Sequence, residues 1–376
     1  RGGGAGDSST KEPHMQPLAV FVLGALIVCA SVLSACQSGP RAGAPSAETP
    51  PADREQWAIA IHGGAGTIER DAPPEQIAAY RASLERALSE GRRRLDAGES
   101  ALDTCEAVVR ILEDDPLFNA GKGAAFNERA EHELDASIMD GSTLRCGAVG
   151  GVRTVKNPIS LARLVMERTR HVLLVGPGAE EFADACADVP ERVQRVPNTY
   201  FDTPDRRKLL DDVLKERRES QGRTGSAATD PPSTKPNGNA PRMGTVGCVA
   251  LDRRGRLAAA TSTGGLTGKR FGRVGDSPII GAGTYADDLC AVSCTGTGEE
   301  FIRHAVAHSV SDRIRFAGMS VEAAANDLVF HVLKPDDGGL IAMDARGRAV
   351  MVHSTSGMYR GVADASGRFQ VLIFDK

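Results

Sequence analysis

Gly244 and Thr245 stand where the character of the chain changes abruptly. Upstream, residues 216–242 are polar and rich in Pro, Gly, Ser and Thr, with no apolar periodicity. Downstream, TVGCVALD begins an apolar run that is typical of a buried strand. A threonine hydroxyl is a poor nucleophile unless a base takes its proton. A cut before Thr245 would place an α-amino group, with a pKa of about 8, beside the hydroxyl of the same residue.

The peptide bond between Gly244 and Thr245 is therefore a predicted self-processing site. Glycine tolerates the strained backbone angles that would let the hydroxyl attack the carbonyl before it. The polar stretch upstream would let the old chain end move away after the cut. The alternative is that Thr245 is an ordinary β-branched residue at the start of a strand.

The composition is that of a globular, enzyme-sized protein. The chain has 376 residues, of which 41% are hydrophobic and 25% charged, with a formal net charge of -4. Because 45 Lys and Arg are balanced by 49 Asp and Glu, no basic surface for nucleic acid is expected. The length allows one large domain or two small ones. The 42 glycines and 4% aromatic residues predict tight turns and close main-chain contacts.

Residues 1–36 predict export rather than a folded domain. A polar start is followed by an apolar run from Pro17 to Ala35 that ends in small residues, as secretory signals do. The motif LSAC resembles the lipobox of bacterial lipoproteins, so Cys36 is the predicted site of lipidation. A plain signal peptide or signal anchor is the alternative. The expected location is the periplasm or the membrane surface, or the cytoplasm if this segment is no true signal. Residues 37–55 have the composition of a flexible linker.

Apolar periodicity predicts strands that alternate with helices. Before the polar stretch it predicts a strand at 57–61 that breaks at His62, helices at 74–95 and 101–112, a strand at 132–141, a helix at 158–168, a strand at 171–175 and a helix at 179–187. After Thr245 strands resume, helices are predicted at 299–315 and 320–333, and strands close the chain. This order fits two stacked sheets with helices outside, or another α+β fold.

Several short motifs suggest other kinds of chemistry. HGGAG, at residues 62–66, is similar to the oxyanion loop of esterases, but the chain has no GxSxG motif to accompany it. GGLTGKR, at 264–270, lacks the spacing of a phosphate loop. His304 and His308 have the spacing of two metal ligands on one helix, or of two histidines on one helix face. His62 and His132 are predicted to be structural. The six cysteines beyond the export segment show no CxxC spacing, and their pairing stays open.

In their order along the chain, the remaining motifs resemble the isoaspartyl peptidase and plant-type asparaginase family of threonine N-terminal-nucleophile hydrolases. The motifs are AIHGGAG, LEDDPLFNAGKGAAFN, HELDASIMDG, TVGCVALD, TSTGG, GRVGDSP and TGTGE. The resemblance implies an α+β fold, a four-layer αββα sandwich. It also implies an α subunit at 56–244, ending in a disordered tether at 216–244, and a β subunit at 245–376.

The resemblance implies a catalytic role for five residues. Thr245 would be the nucleophile and, after the cut, the new N-terminus, and Thr263 would tune it through a hydrogen bond. Thr295 and Gly296 would stabilise the oxyanion with a hydroxyl and a main-chain N–H. Asn119 would support the nucleophile. The implied reaction releases aspartate from L-asparagine or a β-aspartyl dipeptide through a threonine acyl-enzyme, with no cofactor for catalysis.

The resemblance also implies how a small-molecule substrate would be held. Arg273 would bind the α-carboxylate, for which a planar guanidinium is well shaped. Asp276 would bind the α-ammonium group. Gly298 would present its main-chain carbonyl to the substrate amine, close to Gly296. An Arg and an Asp three residues apart are alternatively a local ion pair.

A structural sodium ion and a dimer of processed subunits are also implied. The sodium would bind main-chain carbonyls in the segment that contains Leu112, Glu113, Asp115, Phe118, Ala120 and Lys122. Lys122 departs from the apolar residue expected there. Two alternatives remain open. A glycosylasparaginase would share the chemistry but tends to have Asp before the threonine and TSTNG in place of TSTGG. An exported binding lipoprotein would have no reason to cut itself.

Overall fold

The fold comes from a computed structural model. It describes residues 56–66, 68, 70–224 and 244–374, together with Gly2, and only the main chain from 220 to 224. Apart from Gly2, the predicted export segment with Cys36 and the linker lie outside the described residues. Of the predicted tether, residues 225–243 also lie outside them.

Twelve strands of the described chain form two sheets. The strands are β1 (Ala58–Gly66), β2 (Leu134–Asp140), β3 (Cys146–Val152), β4 (Leu173–Val175), β5 (Val246–Leu251), β6 (Leu257–Thr263), β7 (Thr284–Ala286), β8 (Cys290–Gly296), β9 (Gly338–Asp344), β10 (Ala349–His353), β11 (Gly357–Asp364) and β12 (Phe369–Leu372). The larger sheet has the order β12-β11-β1-β5-β6-β2-β3-β4, and the smaller has the order β10-β9-β8-β7. Neighbouring strands are antiparallel, except for the parallel pair β3 and β4.

Eight α-helices occur in the described ranges, beside a 3-10 turn at Asn198–Phe201 and a π-helical turn at Leu328–Val332. The helices are α1 (Pro74–Asp96), α2 (Ala101–Glu113), α3 (Pro158–Arg168), α4 (Gly176–Ala185), α5 (Pro204–Thr224), α6 (Gly298–Arg303), α7 (Val306–Ala317) and α8 (Val321–Asp327). Ser100 caps α2, because its hydroxyl accepts a hydrogen bond from the N–H of Asp103 at 3.0 Å.

The two sheets pack face to face, and helices cover their outer faces. Along β6, Leu257 and Ala259 belong to the apolar cluster between the sheets, whereas Ala258 and Ala260 pack in the cluster beneath α1, α2 and α3. This alternation is the period of two expected of a strand buried on both faces. Helices α7 and α8 pack on the smaller sheet. These four layers confirm the predicted αββα sandwich of the α+β class.

Strand β1 runs farther than the sequence analysis predicted. The break expected at His62 is wrong, because β1 continues through HGGAG to Gly66. A β-bulge between His62 and Gly64 interrupts the pairing of β1 with β11. Gly64 has a φ of +115°, which residues with a side chain rarely adopt. The glycines of HGGAG therefore do not end the strand. They permit a β-bulge, which bends the strand.

The start of the predicted tether at 216 is also wrong, since α5 continues to Thr224. The segment KERRESQGR has few apolar residues, but Lys, Glu, Arg and Gln all favour helices. Arg217 attaches this helix to the chain beyond Thr245, because its guanidinium donates to the carbonyl of Gly268 at 2.7 Å.

The two long helices predicted at 299–315 and 320–333 are shorter and broken. Ala305 has a φ of +45° and separates α6 from α7, and α8 gives way to the π-helical turn. His304 and His308 consequently lie in different elements, so the shared helix face predicted for them is wrong. Among the described residues, no group of three or more His, Cys, Asp and Glu side chains is placed to hold a metal ion.

Two further features concern the membrane and the thiols. Within the described ranges, no helix combines the length and the apolar character needed to cross a bilayer. The described cysteines, Cys105, Cys146, Cys186, Cys248, Cys290 and Cys294, are free thiols.

Glu113 ends α2 and connects that helix to α3 and β6. Its carboxyl group is fully buried and accepts hydrogen bonds from the Ser262 hydroxyl at 2.6 Å and from the N–H of Ile159 at 3.0 Å. Burial raises the pKa of Glu113 to about 8, although the two hydrogen bonds act in the opposite direction. Near neutral pH this carboxyl group is therefore mostly protonated.

Replacing Glu113 with Gln should flatten the pH dependence of stability. The folded protein keeps a proton that the unfolded chain loses above the usual pKa of 4.5. The stabilising contribution of Glu113 is therefore complete below pH 4.5 and is lost as the pH rises towards 8. Urea unfolding between pH of about 5 and about 8 should show a smaller loss of stability in the variant.

The matched control is Glu106→Gln on the same helix, whose carboxylate accepts a hydrogen bond from Ser160 but keeps some exposure. This variant should retain the wild-type pH dependence. An equal loss of stability with pH in Glu113→Gln and in the wild type would contradict a protonated, buried Glu113.

Candidate active site

Thr245 lies just before β5, next to the end of β6. Its side chain is buried, and its hydroxyl donates a hydrogen bond to Oγ1 of Thr263 at 3.1 Å. Because side chains alternate along β6, Thr263 lies on the same face as Leu257 and Ala259, towards the smaller sheet. The structure therefore brings together the predicted nucleophile and the hydroxyl predicted to tune it.

Asn119 acts on this pair through the turn that follows β6. Its Nδ2 donates to the carbonyl of Gly265 at 2.7 Å, and its Oδ1 accepts from the N–H of Ala125 at 2.7 Å. The N–H of Gly265 in turn donates to Oγ1 of Thr263 at 3.0 Å. Asn119 thus fixes the turn that orients Thr263, which fits the supporting role predicted for it.

Gly244 is packed so closely that there is no room for a side chain at this position. A Cβ atom on Gly244 would lie 2.5 Å from Oγ1 of Thr295 and 2.6 Å from Cα of Gly64. A Cβ atom on Gly64 would likewise lie 2.6 Å from Cα of Gly244. Neither glycine can carry a side chain unless the main chain moves. The bulge of β1 therefore packs directly against Gly244, the residue before Thr245.

The residues predicted to form the oxyanion site end strand β8. Thr295 is fully buried, and its hydroxyl accepts a hydrogen bond from the N–H of Ala65 at 3.1 Å. Gly296 follows, and a Cβ atom there would lie 2.1 Å from the carbonyl oxygen of Asp337. Thr295 is thus in contact with both the bulge of β1 and the predicted cleavage site.

Arg273 and Asp276 lie together beside the start of α6. Arg273 forms a two-pronged ion pair with Glu299, with Nε to Oε1 at 3.1 Å and Nη2 to Oε2 at 3.0 Å. Although burial opposes it, the hydrogen bonds from Arg273 lower the pKa of Glu299. A Cβ atom on Gly298 would lie 2.8 Å from Nη2 of Arg273 and 2.8 Å from Oδ1 of Asp276. Arg273, Asp276 and Gly298, which are predicted to hold substrate, are therefore packed against one another.

Asp276 is a buried carboxyl group with spare hydrogen-bonding capacity. Its Oδ2 atom is buried and has no hydrogen-bond partner among the described residues. Burial raises the pKa of Asp276 to about 7, and the nearby positive charge of Arg273 limits that rise. A buried, unpartnered carboxylate favours a cationic ligand, because such a ligand supplies both charge and hydrogen-bond donors.

Sequence reasoning missed two residues of this site. His62 was predicted to be structural only, yet its Nδ1 lies 2.9 Å from the carbonyl oxygen of Thr245. Glu299 was not predicted to belong to the site, yet its carboxylate forms an ion pair with the guanidinium of Arg273. The position of His62 at the start of a glycine bulge, and that of Glu299 in the first turn of α6, were the available signals.

The loop predicted to bind sodium is closed by a main-chain hydrogen bond from Lys122 N–H to the carbonyl of Glu113 at 2.7 Å. The Lys122 side chain extends towards Tyr200, and its ammonium group lies 4.9 Å from the centroid of the Tyr200 ring. It also donates to the Tyr200 carbonyl. The Lys122 side chain thus lies away from the main-chain carbonyls that were predicted as ligands, and carbonyl oxygens are a donor type that suits alkali cations. Sodium binding at this loop stays a prediction.

Comparisons with known proteins point to one family. The family model described as asparaginase matches residues 55–373. A probable isoaspartyl peptidase/L-asparaginase 2 of Arabidopsis thaliana is 45% identical over 331 residues, which cover 85% of this chain and 99% of that protein. An isoaspartyl peptidase of Escherichia coli is 46% identical over 306 residues, covering 80% and 91% respectively. A plant-type L-asparaginase of Pyrococcus abyssi is 40% identical over 308 residues, covering 80% and 94%.

The αββα sandwich and the threonine at the start of β5 define an N-terminal-nucleophile hydrolase fold. The match over most of the chain is more specific, and the chain belongs to the asparaginase family that contains the isoaspartyl peptidases and plant-type L-asparaginases.

Replacing Gly64 with Ala should destabilise the protein more than replacing Gly98 with Ala. Both glycines have positive φ, at +115° and +79°, but only Gly64 is crowded by another main chain. Backbone strain costs about 1–3 kcal/mol at either position, and the contact with Gly244 adds to it at Gly64. The midpoints of urea unfolding measure the difference. Equal losses in the two variants would show that the close contact with Gly244 does not exist.

Proposed function

We propose that the protein cuts itself between Gly244 and Thr245 and then acts as an isoaspartyl peptidase and L-asparaginase. The observation that carries this proposal is the hydrogen bond between Thr245 and Thr263 beside a Gly244 held by Gly64 and Thr295. Relatives at 40–46% identity are named isoaspartyl peptidases and plant-type L-asparaginases, which supports the substrate class.

Self-processing uses the hydroxyl of Thr245. Its oxygen attacks the carbonyl carbon of Gly244, the C–N bond breaks, and the hydroxyl proton ends on the Thr245 nitrogen. The resulting ester between Gly244 and the Thr245 side chain is hydrolysed by water, which leaves a carboxylate on Gly244 and a free amine on Thr245. The contact between Thr295 and Gly244 places a hydroxyl next to the atoms that react.

The free amine of Thr245 is then the base for the hydrolysis of substrate. It takes the hydroxyl proton as Oγ1 attacks the side-chain carbonyl of an asparagine or a β-aspartyl dipeptide. In this proposal Thr295 and Gly296 stabilise the oxyanion with a hydroxyl and a main-chain N–H. The protonated amine passes its proton to the departing ammonia or amino acid, and water releases aspartate from the acyl-enzyme.

Arg273, Asp276 and Gly298 hold the α-carboxylate and α-ammonium groups of the substrate. The substrate carboxylate takes the place of the Glu299 carboxylate on the guanidinium of Arg273, which has the same two-pronged geometry. The ammonium group pairs with the unpartnered oxygen of Asp276. One carboxylate thus keeps Arg273 oriented in the free protein until another carboxylate replaces it.

Thr245→Ala should remain one uncut chain, because it has no side-chain oxygen to attack the Gly244 carbonyl. Thr245→Ser should be cut, since it keeps the hydroxyl. Intact mass and N-terminal sequencing after incubation measure the outcome, and wild type should give a fragment that begins at Thr245. Thr143→Ala, in an exposed turn, is the matched control and should be cut as the wild type is. A wild-type chain that stays whole would overturn the proposal.

The value of kcat/KM should fall as the pH drops below about 7, where Asp276 takes up a proton. A protonated Asp276 cannot pair with the substrate ammonium group, so the loss is on the acid side. The Thr245 amine, with a pKa of about 8, adds a titration at higher pH, so the acid limb becomes steeper below about 7. Asp276→Asn should remove one of the two titrations and should lower kcat/KM by roughly 30-fold, which corresponds to about 2 kcal/mol. An unchanged slope of the acid limb in Asp276→Asn would contradict the assigned role.

A further inference from the structure

A row of buried polar side chains runs between the two sheets from His62 and is not used in the reaction proposed above. Nε2 of His62 lies 2.9 Å from Oγ of Ser293, and that oxygen lies 2.7 Å from Oγ1 of Thr261. Thr284 donates to Oγ1 of Thr261 at 2.5 Å. All four side chains are fully buried. At its other end, His62 reaches the carbonyl of Thr245.

The strand register and one glycine make this row possible. His62 on β1 is paired with Gly247 on β5, and Gly247 is paired with Thr261 on β6. On the facing sheet, Ser293 is paired with Thr284. A Cβ atom on Gly247 would lie 2.0 Å from Oγ of Ser293 and 2.3 Å from Nε2 of His62. Gly247, the second residue of β5, therefore leaves the gap in which the side chains of the two sheets form this hydrogen bond.

The partners of His62 select one tautomer of its ring. Burial lowers the pKa of His62 to about 3, so the imidazole is neutral and carries a single N–H. The carbonyl of Thr245 can only accept, which places the hydrogen on Nδ1 and leaves Nε2 to accept from the hydroxyl of Ser293. Ser293 then accepts from Thr261, and Thr261 accepts from Thr284. Every hydrogen bond in the row can thus point in one direction, towards Thr245.

Thr245 depends on this support because it precedes the ladder of β5. The pairing of β5 with β1 ends at His62 and Gly247, where the bulge of β1 begins. After the cut, Thr245 is a chain terminus, and a free terminus frays unless it is attached. The Thr245 carbonyl is bonded to the Cα atom. That atom also carries the amine and, through Cβ, the nucleophilic oxygen.

We propose that His62 is a positioning residue, which holds the carbonyl of Thr245, and that Ser293, Thr261 and Thr284 keep its ring in the tautomer that donates from Nδ1. This inference rests on the proposed function, since it concerns the same nucleophile. With the carbonyl fixed, the amine and the hydroxyl of Thr245 keep their directions towards substrate and Thr263. Without it, the nucleophile is present but poorly aimed, which lowers kcat more than it raises KM.

Single hydroxyl deletions test this row with little risk to folding. Ser293→Ala and Thr261→Val should lower kcat for a β-aspartyl dipeptide on the order of 10- to 100-fold, with KM close to the wild-type value. Activity is expressed per processed chain, counted by mass spectrometry. The control is Ser262→Ala, which removes a fully buried hydroxyl from the same strand but from the opposite face, where it contacts Glu113. It should lose stability without losing kcat.

Substitutions of His62 itself provide a rescue experiment. His62→Asn keeps an N–H donor at the position of Nδ1 and should retain more kcat than His62→Ala at equal processing. Thr284→Val, at the far end of the row, should give a smaller loss of kcat than Ser293→Ala. In protein labelled with ¹⁵N-histidine, the His62 ring should show the Nδ1–H tautomer in the wild type and a mixture in Ser293→Ala.

The outcomes separate this inference from the proposed function. If the wild type is cut and hydrolyses the dipeptide while Ser293→Ala and Thr261→Val behave as Ser262→Ala does, the row is only structural and the positioning role fails. If His62→Asn is no better than His62→Ala, the donor to Thr245 is not what matters and the role fails as well. An uncut, inactive wild type overturns the proposed function, and the positioning role with it.

Discussion

The close contact between the main chains at Gly64 and Gly244 is the constraint on which the rest of the site depends. Two main chains can meet at this distance only where both residues lack a side chain. The contact needs the bulge in β1, which in turn needs the positive φ of Gly64. It places Gly244 against Thr295 and leaves Thr245 beside Thr263. Thr245 and Gly244 are therefore held by contacts with strands β1, β6 and β8.

The central strands of the sandwich are rich in small residues, which allows the sheets to carry polar chemistry between them. On β6, alanines at 258, 259 and 260 pack closely on both faces, and the strand then changes to Thr261, Ser262 and Thr263. The apolar part of the strand supplies burial, and the polar part supplies oriented hydroxyl groups. Because the hydroxyls are buried, each needs a partner, and this requirement produces a network rather than a set of separate groups.

The sequence alone could predict those parts of the fold that repeat with a clear period. Helix α3 occurs at the predicted residues 158–168, and the threonines and glycines of the site could be placed from their motifs. The roles of His62 and Glu299 could not be predicted, because each depends on strands or turns that are far apart in the chain. Within β11, GMYRGVAD carries Arg360 at a buried position, and a charged residue there obscures the apolar pattern of a strand. The tether was predicted to begin too early, at 216, because the polar composition of the end of α5 is also typical of disorder.

The order of the strands has a consequence for the cut protein. In the larger sheet, β5 and β6 lie between β1 and β2, so strands from after Thr245 are enclosed by strands from before it. Arg217 adds a hydrogen bond between the same two parts of the chain. Scission before Thr245 would break no hydrogen bond of the ladder, so the two fragments would stay folded together. Unfolding, however, releases two separate chains, so recovery of the fold becomes a second-order process whose rate falls on dilution. The cut would thus convert a protein that can refold by itself into one whose native state, once lost in dilute solution, is slow to return.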